Sequence, residues 1–108
     1  MSEHAELRVR FQESGGGWGN PLMGRVFDSA RDVPAGEMDQ LAELVDRCRL
    51  AESGELPGER PVDVETFELA VERGGRTVSV VGDMQRADDA LKELVQFVRR
   101  RSRREMLE

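Results

Sequence analysis

The stretch Glu13-Ser14-Gly15-Gly16-Gly17-Trp18-Gly19-Asn20-Pro21 places the chain's sole tryptophan among four glycines. A glycine-rich loop can cradle phosphate, but the mechanical requirements fail here. A dinucleotide fingerprint needs Gly-x-Gly-x-x-Gly, whereas Gly15-x-Gly17 is followed by Asn20 and Gly17-x-Gly19 by Leu22. A P-loop needs a lysine beside the phosphates, and the only lysine is Lys92. The segment after the loop also reads as a strand, so no helix N-terminus waits for an anion. Trp18 is left either folded back on its own sheet or presented to a partner, where tryptophan often dominates interface energetics.

Other reactive groups are sparse. His4 lies in an N-terminal segment read as mobile. Cys48 extends the apolar stripe of a helix and reads as a small core residue, and there is no tyrosine. General acid–base work would fall to carboxylates. Asp63 and Glu65 could share a sheet face and Asp88-Asp89 open a helix, but each reads as a solvated or helix-end charge. One cysteine and one histidine provide no zinc-site spacing and no internal disulfide, so neither a metal nor a cofactor is expected. The expectation is a non-enzyme.

The elements that would position the loop follow from periodicity. From Glu6 to Gln12 the chain alternates, with Leu7, Val9 and Phe11 on one side, as a half-buried strand requires. Leu22 to Asp28 resumes an extended pattern, with Val26 expected inward and Arg25 outward. Met38, Leu41, Leu44, Val45 and Cys48 recur on one helical face, which predicts a helix over 34–51 with Pro34 in its first turn. Residues 53–61 read as loop. Phe67, Leu69 and Val71, then Gly74-Gly75, then Val78 and Val80 predict a tight hairpin. Ala87, Leu91, Leu94, Val95 and Val98 mark a second helix, capped by Asp83 or a neighbour, which the run Arg99 to Arg104 continues. The fold class is α+β in the order ββαββα, a four-stranded antiparallel sheet with two helices packed on one face.

With 108 residues the chain makes one domain with a core of its own. Net charge is −6, divided between an acidic body of −9 over residues 1–98 and a C-terminal stub of +3 over residues 99–108. The stub suits the negative end of a helix, and the acidic body disfavours generic attraction to nucleic acid or anionic membrane. The N-terminus lacks the basic start and apolar run of a signal peptide, and no apolar stretch is long enough to span a bilayer; a cytoplasmic protein is expected.

Taken together, Phe11 to Gly16 after an alternating strand, Leu41-Ala-Glu-Leu44-Val45, Phe67 to Val78 through Glu72-Arg-Gly74-Gly75-Arg76, and Leu91-Lys-Glu-Leu94-Val95 resemble the emfourin family. The resemblance covers residues 1–98 as one domain, with residues 99–108 as an Arg-rich helical extension or tail. It implies a bacterial protein inhibitor of protealysin-like, thermolysin-family zinc metallopeptidases, acting by one-to-one occlusion of the active-site cleft, and a monomer when free. Loop chemistry and the Ser-Gly-Gly match assign partner contact to Glu13, Ser14, Gly15, Gly16, Gly17, Trp18, Gly19 and Asn20, with Trp18 as anchor. The zinc would belong to the target, and Glu13 could approach it. Two other readings stand beside this one. The first is a nucleic-acid accessory protein using the arginine tail, whose function would be lost on deleting residues 99–108 where the inhibitor's would survive. The second is an assembly module using a sheet edge.

Overall fold

Alternation carries the first strand one step further than its apolar residues. The computed structural model describes residues 7–14, 23–59 and 64–106. In it β1 (Arg8–Ser14) buries Val9, Phe11 and also Glu13, while Arg8, Arg10 and Gln12 face outward. It pairs antiparallel with β2 (Met23–Asp28). Phe11 opposes Phe27 and Glu13 opposes Arg25, so Phe27 and Arg25 share the core side and Val26 lies on the other. The expected phase of β2 is thus reversed, because Phe27, not Val26, fills the space beside Phe11.

A four-residue helix, α1 (Ser29–Asp32), follows directly. Its short polar side chains tie it down: Asp28 accepts from the Ala30 N–H at 3.0 Å, and Ser29 Oγ accepts from the Val9 N–H at 2.8 Å. A 3₁₀ turn over Ala35–Glu37 leads into α2 (Met38–Cys48). Pro34 precedes that turn in an extended conformation, outside the helix expected to contain it. Arg49 then ends α2 in the left-handed region at φ 51°. The helix is shorter than predicted at both ends.

Residues 53–61, read as loop, contain the two-residue strand β3 (Gly54–Glu55). Strands β4 (Phe67–Arg73) and β5 (Arg76–Gly82) form the expected hairpin, with Gly74 at φ 58° and Gly75 at φ 81°. The last helix, α3 (Asp89–Arg101), is capped by Asp88, whose carboxylate accepts from the Leu91 N–H at 2.9 Å. It does not continue to Arg104. Ser102 turns the chain, and β6 (Arg103–Met106) pairs antiparallel with β2.

Among the described residues the sheet has six strands in the order β3-β5-β4-β1-β2-β6. Its central four are antiparallel, as expected, but β3 joins one edge parallel to β5 and β6 closes the other. The architecture is mixed α+β, and the expected ββαββα order omits α1, β3 and β6. Each is too short, or too charged, to leave an apolar period. Leu41, Leu44 and Val45 of α2 and Leu91, Leu94, Val95 and Val98 of α3 share one core with Val9, Phe11, Phe27, Phe67, Leu69, Val71, Val78 and Val80 of the sheet.

Candidate functional site

Glu13 is 1% exposed and continues the core-facing series Leu7, Val9, Phe11. A carboxylate there must be paired, because an unpaired buried charge is strongly destabilising. Arg99, near the end of α3, supplies the partner: its Nε donates to Oε1 at 3.0 Å and its Nη2 donates to Oε2. Arg25 stands at 4.0 Å on the neighbouring strand. The Glu13 carboxylate is therefore turned into the fold, and reaching a metal outside it would require breaking the Arg99 pair. Its observed work is to fix the base of the first hairpin loop to α3. Ser14 is the last residue of β1; Gly15, Gly16, Gly17, Trp18, Gly19 and Asn20 lie outside the described residues, as do His4 and Asp63.

The register shows what else gathers at this end. Glu13 opposes Phe67, Phe67 opposes Gly82, and Leu56 N–H donates to the Val81 carbonyl at 2.8 Å just beyond β3. On the other side Glu13 opposes Arg25, which opposes Arg104. Ser14 and Gly24, Leu56 and Phe67, and Gly82 with the turn that follows it thus all stand at one end of the sheet. At roughly 4.8 Å per strand, Leu56 and Ser14 stand about 14 Å apart along it.

The turn that follows Gly82 is held by a buried ion pair that periodicity does not reveal. Asp83 is 1% exposed. Its Oδ1 accepts from the N–H groups of Gln85 and Arg86, both at 3.0 Å, and its Oδ2 from Arg86 Nε at 2.6 Å. Burial opposes the charge of Asp83, but Arg86 and these backbone N–H groups outweigh it and hold the carboxyl below its ordinary range. Arg86 Nη1 reaches across to Glu55 and to the Leu56 carbonyl, each at 2.9 Å. The only sequence signal was Asp83 itself, expected, with its neighbours, as a helix cap; the neighbour Asp88 makes that cap, and Asp83 closes the turn before it.

The remaining described candidates lie apart from this end-on arrangement or serve the fold. Glu65 is exposed, and Asp89 lies in the first turn of α3 behind its cap. Cys48 packs against the core, and burial pushes its thiol up to about 11, which keeps it protonated and unreactive near neutrality. Among the described residues no group of three or more His, Cys, Asp or Glu side chains could hold a metal ion, and no helix is long and apolar enough to cross a membrane. The arginine tail is largely engaged: beside the Arg99 pair, Arg101 bonds Glu37 at 2.6 Å and lies 3.6 Å over the Phe97 ring, and Arg103 meets Asp32 at 3.0 Å.

The sequence model of the family described as Emfourin matches residues 11–99, a span that opens two residues before Glu13 and closes on Arg99. The chain belongs to the emfourin family. No match was found among curated proteins or among solved structures. Emfourins are inhibitors of metallopeptidases, so membership implies that role for this emfourin. For an inhibitor the decisive features are a rigid platform and a projecting edge. In this emfourin the loop-bearing end of the sheet has a described base on both sides of the first loop, at Ser14 and Met23, and a second connection fixed by Asp83 and Arg86.

Proposed function

We propose that this emfourin inhibits a thermolysin-family, protealysin-like zinc metallopeptidase by one-to-one, non-covalent occlusion of the active-site cleft. Residues 14–20 make the contact, with Trp18 as anchor, and Glu13 serves them from below. The observation that carries this reading is the family match over residues 11–99. The Glu13 and Arg99 pair supports it physically, because a loop whose base is fixed loses less conformational freedom on binding. A monomer of this size can supply the roughly 800 Å² per partner of a standard interface. The engagement of Arg99, Arg101 and Arg103 with carboxylates counts against a nucleic-acid role for the tail.

Titration of the purified chain against a thermolysin-type peptidase tests the proposal. Activity should fall linearly to a one-to-one end point. Trp18→Ala should raise the inhibition constant about 30-fold, the equivalent of roughly 2 kcal/mol for an interface anchor. Full activity across an equimolar excess of the chain would overturn the reading.

A further inference from the structure

We propose that the hollow between the end of α2 and the Gly74-Gly75 hairpin binds a small organic anion, a short apolar body carrying one carboxylate head. The site lies at the end of the sheet away from the first loop, and it stands independently of the inhibitor reading.

The floor of the hollow is apolar. Val45 of α2 and Val71 and Val78 of the hairpin strands line it, and Val78, at 8% exposure, is the least covered residue of the described core. Leu50, partly buried just past α2, adds a wall. The volume is 220 Å³. That is below the roughly 300–1,000 Å³ of sites for drug-sized ligands, and it suits a chain of about eight carbons rather than a nucleotide.

The rim is cationic. Arg49, Arg73 and Arg76 stand around the floor, all exposed, and among the described lining residues Asp46 alone is acidic. Arg73 is bonded to Asp46 at 2.5 Å, which leaves two positive charges. The C-terminus of α2 offsets roughly half of one, so a positive excess survives on a chain whose net charge is −6. The backbone shows that these arginines are placed at a cost. Arg73 and Arg76 oppose each other directly in the hairpin register, where like charges repel. Arg49 ends α2 at φ 51°, a position that glycine fills with less strain but without a guanidinium. Arg76 spends one N–H group on the Ala51 carbonyl at 2.8 Å, which anchors its guanidinium at the rim. A carboxylate there meets the planar forks of Arg49 and Arg76, which suit it two N–H groups at a time, and its apolar body covers the valines.

Titration of the free chain with octanoate, followed by methyl NMR, tests the site. Octanoate should shift the Val45, Val71 and Val78 methyls saturably to one-to-one occupancy, while those of Val9 and Val95, fully buried elsewhere in the core, stay in place. Acetate, inorganic phosphate and 1-octanol each lack one half of the recognised chemistry and should bind about tenfold more weakly or worse. Arg49→Gln/Arg76→Gln should weaken octanoate by about tenfold or more, with a melting temperature within about 2 °C of wild type. Arg47→Gln/Arg100→Gln, which removes the same charge from exposed positions outside the hollow, should leave octanoate affinity unchanged. Failure of those three methyls to saturate, equal affinity in the Arg49/Arg76 variant, an equal loss in the Arg47/Arg100 variant, or phosphate or octanol binding as tightly as octanoate would each overturn the site. No peptidase enters these measurements, so loss of the inhibitor reading leaves the site standing and loss of the site leaves that reading untouched.

Discussion

Two buried carboxylates show how a single residue can serve the surface of this molecule from inside it. Glu13 and Asp83 are each 1% exposed, and each is met by an arginine that belongs to another element or the next turn. For Asp83 the consequence is measurable. Its carboxyl is held below the ordinary value of 3.8, so the stabilisation it contributes is complete above about pH 5 and is lost as pH falls through 3.8 and lower. Asp83→Asn, which leaves Arg86 Nε short of its charged acceptor, should cost about 3 kcal/mol near neutrality, or roughly 13 °C in melting temperature. Its stability should also fall less steeply than wild type between pH 5 and pH 3. Equal acid limbs in the two proteins would refute the assignment. The inward direction of Glu13 was legible in the sequence, since it keeps phase with Leu7, Val9 and Phe11. Its partner was not, because a contact between residues 13 and 99 leaves no local periodicity. The reading of Glu13 as an outward ligand weighed its chemistry and overlooked its phase.

At the scale of elements, the long periodic segments were readable and the short charged ones were not. The hairpin of β4 and β5 follows from two alternating runs and a Gly-Gly turn, and α3 from its apolar stripe. By contrast β6 is built from Arg103, Arg104, Glu105 and Met106, a composition that on its own continues a helix as readily as it makes a strand. Its pairing with β2 is a tertiary decision: Ser102 breaks the helix, its hydroxyl donating to the Arg99 carbonyl at 2.6 Å, and Arg103 then reaches Asp32. This changes what truncation should do. Deleting residues 103–108 removes an edge strand and one partly exposed ion pair, and should cost about 1 kcal/mol with little effect on inhibition. Deleting residues 99–108 also strips Glu13 of Arg99, and should cost about 3 kcal/mol or more and weaken inhibition along with it. The expectation that the longer deletion leaves an inhibitor intact is thereby withdrawn. Comparing unfolding midpoints and inhibition constants of the two truncations decides the matter, and equal behaviour would show that the Glu13 and Arg99 pair does not support the loop.

At the scale of the whole molecule, the proposed contact lies at one end of the sheet, and the other end has features of its own. Strands of seven residues, rising about 3.4 Å per residue, separate the loop-bearing end from the Gly74-Gly75 turn by roughly 20 Å. At the far end Arg49, Arg73 and Arg76 surround a 220 Å³ hollow floored by Val45, Leu50, Val71 and Val78, with Arg73 bonded to Asp46 at 2.5 Å and Arg76 to the Ala51 carbonyl at 2.8 Å. An inhibitor that plugs a cleft with one end must leave the other in solvent. Arg49→Gln/Arg76→Gln should accordingly change the inhibition constant less than twofold, although it alters net charge by two, whereas Trp18→Ala should act strongly without altering it. The sheet edges point the same way: β3 has two residues, and β6 begins with two arginines, features that discourage edge-to-edge pairing between copies. Light scattering should therefore return a monomer at every concentration of the free chain and a one-to-one complex with the peptidase. A far-end variant that weakened inhibition as much as Trp18→Ala, or a free chain that dimerised through its sheet edge, would show that binding does not run through the loop-bearing end.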